Sequence, residues 1–214
     1  MMAPRPPGQL RADARQNHAR LVVAATQAFA EKGADAPLED VARRAGVGIG
    51  TLYRHFPTRL DLQAAVFRSQ VESICGQGQA LLADTPPGAA FVGWLRSLAA
   101  YFAAKRGLSK VVMDGLGKDS EMLRACSTAM RDTTERLLTK AQEAGAVRPD
   151  VAAIDILRLM HGIAITTEAS PEQGDHLLSI MLDGLGVRPG PDSTIDPPST
   201  QPPSTQPPGT QRPG

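Results

Sequence analysis

Thr51, Tyr53, Arg54 and His55 crowd hydrogen-bonding and cationic side chains into one short run, with Arg59 close behind. Hydroxyl, guanidinium and imidazole groups at that density can donate to phosphate oxygens and to the edges of bases. Such chemistry needs a rigid element to present it, and the residues just upstream supply one. In LEDVARRA, Leu38, Val41, Ala42 and Ala45 recur at i, i+3, i+4 and i+7, the period of a helix with one apolar stripe. Gly46-Val47-Gly48 then breaks the pattern, with Gly46 where a helix end calls for a left-handed residue and Val47 able to plug the corner. A second, very short helix, Ile49 to His55, follows at once, with Leu52 turned inward and Phe56 closing it. Two helices joined by a short turn containing glycine are the helix-turn-helix signature.

The contiguous string from Ala42 to Arg59, ARRAGVGIGTLYRHFPTR, resembles the TetR/AcrR family of bacterial transcriptional regulators, whose DNA-binding helices share a pattern like A-x-x-A-G-V-x-x-G-T-L-Y-x-H-F-x-[ST]-[KR]. The resemblance implies a head of three helices, the first packed across the other two. Here that first helix is predicted from about Ala14 to Lys32, with Leu21, Val22, Ala25, Ala28 and Phe29 on its apolar face and Lys32-Gly33 at its end. The resemblance also implies roles in the second helix of the motif. Gly48, Ile49, Gly50 and Thr51 would face bases: the glycines let the backbone approach, and Ile49 and the Thr51 methyl can meet thymine methyls. Tyr53, Arg54 and His55 would bind phosphates or flanking base edges, and Arg59 would grip a phosphate together with the amides of the next helix. Arg43 and Arg44, with Arg11, Arg15 and Arg20, would add unspecific charge. Pro37 departs from the pattern. Relatives place Thr or Ser there as a cap and phosphate contact, and proline cannot donate.

Composition agrees with a helical protein. A hydrophobic share of 42% with only 4% aromatic residues rests the core on Ala, Leu, Val and Met and favours an all-α chain. The length of 214 residues fits one large domain, or a small one joined to a medium one. Residues 1–59 hold 9 Lys and Arg against 5 Asp and Glu, whereas the remainder holds 14 against 17. A basic head on a more acidic body suits DNA binding. Cys75 and Cys126 lack metal-ligand or C-x-x-C spacing and read as buried thiols in a reducing compartment. No apolar run approaches the ~18 residues of a membrane span, and the N-terminus lacks a signal peptide's apolar stretch. A cytoplasmic location without a membrane partner is therefore expected. No metal or cofactor is expected either, since the histidines (His18, His55, His161, His176) lack metal spacing. Gly115-Leu116-Gly117-Lys118-Asp119-Ser120 fails as a phosphate loop because Val112 replaces its first glycine and Asp119 its Ser or Thr. No serine sits in a nucleophile elbow, and the chain is not read as an enzyme.

Along the chain the reading gives an arm over residues 1–12, a head over 13–59, a helical regulatory and dimerisation body over 60–186, and a tail over 187–214 in which PPSTQ, PPSTQ and PPGTQ repeat. About nine helices are expected. Thr58 and Asp61 form a capping box opening a long fourth helix that reaches about Ala83. Gly76 and Gly78 interrupt its pattern, either ending it or making a joint between head and body. After Asp84-Thr85-Pro86-Pro87-Gly88 come a helix from Ala89 to Arg106 that Lys105-Arg106-Gly107 closes, and a separate apolar segment from Leu108 to about Leu116. Longer helices follow, opened by Asp119, by Arg148-Pro149-Asp150 and by a capping box at Ser170-Pro171-Glu172-Gln173.

A ligand pocket between body helices is expected to draw on Trp94, Tyr101, Phe102, Met113, Met122, Met130, Met160 and His161. In the family the last two helices of each subunit pair into a four-helix interface. That implies a dimer seam of Leu177, Leu178, Met181, Leu182 and Leu185, with Val151, Ile154, Leu157 and His161 from the preceding helix. The expected function is a ligand-responsive repressor that binds a palindromic operator in double-stranded DNA as a homodimer. Two heads are required because one short helix discriminates too weakly. The alternatives are a ligandless or activating regulator, and a helical ligand-binding or interaction protein whose head makes protein–protein contacts.

Overall fold

Burial follows the helical stripes. Leu38, Val41, Ala42 and Ala45 are all buried on one face, and so are Leu21, Ala25 and Ala28 on the helix that crosses them. The structure is a computed structural model that describes residues 7–117, 119–167 and 171–187. The Pro-rich repeats and the Ser170 cap lie outside these residues. Eight helices are described: α1 (Pro7–Lys32), α2 (Leu38–Ala45), α3 (Ile49–His55), α4 (Arg59–Asp84), α5 (Pro87–Leu116), α6 (Glu121–Glu143), α7 (Ala153–Thr166) and α8 (Pro171–Gly184). No strand occurs among the described residues. α1 to α3 make the head, α4 joins it to the body, and α5 to α8 complete the body.

The expected boundaries hold best from α2 to the start of α4. The α2–α3 turn is a Schellman motif: Val47 N–H donates to the Ala42 carbonyl at 3.0 Å and Gly46 N–H to that of Arg43 at 3.1 Å. Gly46 has φ 66°, a left-handed conformation that favours glycine. At the start of α4, Thr58 Oγ1 accepts from Asp61 N–H at 3.1 Å while Asp61 Oδ2 accepts from Thr58 N–H at 2.9 Å, the expected capping box.

Two boundaries differ. α1 starts at Pro7, so the second half of the expected arm is helical, with proline at its first position where no amide partner is lost. The two segments expected over Ala89–Arg106 and Leu108–Leu116 are one helix, α5. Leu108 and Val112 are buried and prolong the stripe of Phe91, Leu95 and Leu98. Their burial outweighs the ~1 kcal/mol that an interior glycine costs.

α4 neither ends nor bends into a joint at Gly76 and Gly78; it runs unbroken to Asp84. Gly78 is buried where α4 meets α5 and α6, and a Cβ there would lie 2.6 Å from Thr133 Cγ2 and 3.0 Å from the Trp94 ring. The glycine allows three helices to close on one point. A Cβ on the exposed Gly76 would meet nothing within 4 Å. The two substitutions to alanine are therefore expected to act with opposite sign. Gly76→Ala should stabilise by about 0.5–1 kcal/mol through helix propensity. Gly78→Ala should destabilise by about 1–3 kcal/mol through overpacking. Urea midpoints of the two variants check this, and a stabilised Gly78→Ala would show that the helices part freely.

Candidate nucleic-acid interface

α3 buries one residue and offers the rest. Leu52 is fully buried and Phe56, just past the helix, is 3% exposed; these anchor the helix on α1 and α2. Gly48, Ile49, Gly50, Tyr53 and Arg54 lie on the open side, with Ile49 38% and Tyr53 47% exposed, while Thr51 and His55 are half-buried. An isoleucine and a tyrosine left in water on so short a helix form a surface shaped for contact, since each gives up favourable burial. Arg54 lies back along its helix, Nε donating to the Gly50 carbonyl at 3.1 Å. Its remaining N–H groups stay available to a phosphate.

The other arginines of the motif are more committed. Arg59 is half-buried, and its Nη1 donates to the Ala36 carbonyl at 2.7 Å. It ties the first turn of α4 to the loop before α2, a role that its motif position did not suggest. Asp40, 8% exposed, sits at the centre of a charge cluster. Lys32 Nζ approaches it at 2.9 Å and Arg44 Nε at 3.1 Å, Arg43 also binds it, and Arg44 reaches on to Glu31 with bonds of 2.9 and 2.6 Å. The Lys32 and Arg43 hydrogen bonds hold the Asp40 carboxyl down to about 2, against the cost of its burial. Lys32 and Arg44 thus lock α1 to α2, while the exposed Arg43 pairs with Asp40 within α2. Asp40 stands three and four residues before the two arginines, a spacing readable in the sequence. Arg15 and Arg20 lie on α1 with exposed side chains, and the Arg11 side chain lies outside the described ones.

His18 of α1 closes the other side of the head. Its ring lies 4.8 Å from that of Phe56 and 6.1 Å from that of His55. Burial, and then the neighbouring His55 and Arg68, lower its pKa from 6.5. The unfolded chain then takes up the His18 proton first, so its contribution is complete above pH 6.5 and declines as pH falls below it. His18→Gln is expected to flatten the loss of stability between pH ~7.5 and ~5.5. Urea midpoints at the two values check this, and an unchanged slope would place the acid sensitivity elsewhere.

Two family models match the chain. "Bacterial regulatory proteins, tetR family" covers residues 21–66, and "Transcriptional regulator SbtR-like, C-terminal domain" covers residues 86–187. The crystal structure of a TetR transcription regulatory protein from Mycobacterium vanbaalenii is 37% identical, with a TM-score of 0.67, over 82% of this chain and 98% of that one. The chain belongs to the TetR family of bacterial transcriptional regulators. Two curated relatives match mainly by local similarity. The HTH-type transcriptional activator FasR of Mycolicibacterium smegmatis is 35% identical over 72 residues, 33% of each chain. The HTH-type transcriptional repressor KstR of Rhodococcus jostii is 33% identical over 81 residues, 37% of this chain and 36% of its own. The match spans about a third of the curated relatives' length. Members of the TetR family bind DNA and are dimers. Family membership makes this chain a regulator and not an enzyme, and sets aside a head built for protein–protein contact.

In the body of this TetR-family chain, the residues expected to line one pocket are dispersed. Trp94 is fully buried and its Nε1 donates to Thr134 Oγ1 at 3.1 Å; it is a core residue. Met160 is also fully buried, whereas Met113 is 54% exposed on α5. Met122 lines a cleft between α4 and α6, Met130 is half-buried, and Tyr101 lines a different cleft, between α1, α4 and α5. Phe102 and the exposed His161 do meet, ring centroids 5.7 Å apart. Side chains on three helices share a cavity only if the helix rotations allow it, which periodicity alone does not give.

The expected dimer seam also divides. Leu178 and Leu185 are buried within the subunit, while Val151, Leu157, Leu177, Met181 and Leu182 are half-buried. The apolar residues left in water are Ile154, Leu159 and Ile165 of α7 and Ile180 of α8, exposed by 43%, 48%, 57% and 54%. On α8 the exposed apolar residue, Ile180, lies off the leucine stripe, whereas on α7 Ile154 and His161 of the expected seam are exposed. A leucine stripe has no label for which partner, its own core or a second subunit, it meets.

Proposed function

We propose that the chain is a ligand-responsive repressor that binds a palindromic operator as a homodimer in the cytoplasm. The observation that carries this reading is the pairing of two unpartnered surfaces. One is the α3 face of Ile49, Tyr53 and Arg54; the other is the exposed isoleucine face of α7 and α8. In this reading Gly48, Ile49, Gly50 and Thr51 approach bases in the major groove, and Tyr53, Arg54 and His55 meet phosphates or flanking edges. Arg59 holds the head together first and touches phosphate second. Pro37, which caps α2 without a side-chain hydrogen bond, leaves that contact out. No helix among the described residues is long and apolar enough to cross a membrane.

A second reading, activation, is favoured by the similarity to FasR. Transcription of the target on deletion of the gene separates the two: it rises for a repressor and falls for an activator.

The head assignment is tested by affinity for a site recovered by genomic selection. Ile49→Ala and Tyr53→Ala should each lower specific affinity by about 1–3 kcal/mol. Arg54→Ala should lower the slope of log affinity against log salt by about one. Unchanged affinity in all three variants would assign DNA recognition to another surface.

A further inference from the structure

α7 turns one stripe inward: Ala153, Ile156, Met160 and Ala164 are buried. At about 100° per residue, Gly162 lies almost opposite that stripe, at the summit of the exposed face. Its neighbours three residues away on either side are Leu159 and Ile165, large apolar side chains left 48% and 57% exposed. A Cβ on Gly162 would meet nothing within 4 Å. The outer face of α7 therefore carries a gap one side chain wide between two apolar shoulders.

A glycine inside a helix is destabilising relative to alanine, a loss that is offset where the missing side chain admits a neighbour. Gly78 admits Trp94 and Thr133, and Gly115 admits Leu60, whose Cδ1 lies 2.8 Å from where a Cβ would stand. Gly162 admits nothing from its own subunit. Gly76 of α4 is open too, but its face is polar, with Glu72, Ser73 and Gln79 exposed around it. At Gly162 an open backbone and an exposed apolar surface coincide. Apolar surface of that kind favours burial against a partner, and a small residue at the contact lets two helix axes come to the short end of their usual ~8–10 Å separation.

We propose that the two copies of α7 in the dimer cross antiparallel at Gly162, each backbone seated in the other's gap between Leu159 and Ile165. The inference rests on the reading of α7 and α8 as the assembly face. In a two-fold dimer a residue on the axis meets its own copy, so one glycine supplies both the gap and the backbone that fills it. A single gap with a large side chain three residues away on either side suits a crossing. Helices running along the axis would instead bring Leu159 onto Leu159 and Ile165 onto Ile165. The antiparallel crossing also lays the exposed Arg158 against the last turn of the partner's α7, where a cation is favoured.

Two experiments on the full-length protein test the crossing. In the first, Gly162→Cys is oxidised with diamide and run on a non-reducing gel beside Arg158→Cys, Thr166→Cys and the parent, whose own Cys75 and Cys126 are buried. Most Gly162→Cys chains should become covalent dimers. Residues 158 and 166 lie ~6 Å of helix rise from the axis, hence ~12 Å from their own copies, beyond the ~7 Å between Cα atoms that a disulfide spans. Those two variants should stay largely uncrosslinked. In the second, sedimentation of Gly162→Leu should show a dimer dissociation constant raised at least about tenfold. Leucine is the better helix former and meets nothing in its own subunit, so an effect confined to the subunit would not weaken the dimer. The crossing is overturned if the protein is a dimer and Gly162→Cys stays uncrosslinked, if residues 158 and 166 crosslink as readily, or if Gly162→Leu dimerises as tightly as the parent. A parent that sediments as a monomer would overturn the assembly reading, and the crossing with it.

Discussion

Trp94→Ala is expected to cost about 3–5 kcal/mol of folding stability, and to lower the melting temperature by about 6–20 °C. The indole is fully buried at the meeting of α4, α5 and α6, edge-on to Gly78, and its Nε1 donates to Thr134 Oγ1 at 3.1 Å. Thr134 in turn donates to the Met130 carbonyl at 2.8 Å, so removal of the indole empties a large volume and strips one hydrogen bond from a buried pair. A domain carries only about 5–15 kcal/mol in all, so this one residue holds a large share of the body. Trp94→Phe should cost less, about 1–3 kcal/mol, because one ring stays packed while part of the indole and its N–H are lost. Thermal melts of both variants separate a core residue from a pocket residue. Ligand-dependent rescue of Trp94→Ala by a small aromatic compound in place of a stability loss would restore the pocket role.

The second large effect is on assembly. Ile154→Glu with Ile180→Glu is expected to give a folded monomer whose operator affinity is lower by about 10²–10⁴-fold, the factor that coupling two heads supplies. Both side chains are about half exposed in the subunit, so the charges cost the isolated fold little. Across a dimer seam the same charges would be buried opposite one another, which is costly. Leu178→Glu makes a poor version of this experiment. Leu178 is 5% exposed in its own subunit, and the substitution would unfold α8 before it reported on a partner. Sedimentation gives the readout, and a double variant that stays dimeric would move the interface off α7 and α8.

The head was legible in the sequence because its determinants are local. A glycine at φ 66° ends α2 and a Thr–Asp capping box starts α4, and both act through neighbours a few residues away. What sequence pattern misjudged was decided at a distance. Lys105-Arg106-Gly107 has every local mark of a helix end, yet burial of Leu108 and Val112 carries α5 through it. Gly78 reads as a weak point of α4, yet its missing side chain is what admits Trp94 and Thr133. Arg44 reads as free charge for a polyanion, yet Glu31 and Asp40 claim it. The cleft that Tyr101 lines was invisible for a related reason: Thr26, Gln70 and Arg96 belong to three helices and come together only when the helices pack. Periodicity reports which face of a helix is apolar. It does not report which other helix that face meets.

The most direct test of the central claim is footprinting of the parent protein on an operator recovered from genomic DNA. A homodimer that presents α3 from each head should protect a palindrome in two successive major grooves, centred about one helical turn, ~34 Å, apart on one face of the duplex. The Ile154→Glu, Ile180→Glu monomer should lose both protections together at concentrations where the parent gives full protection. A single protected groove, or a protection without two-fold symmetry, would contradict the account.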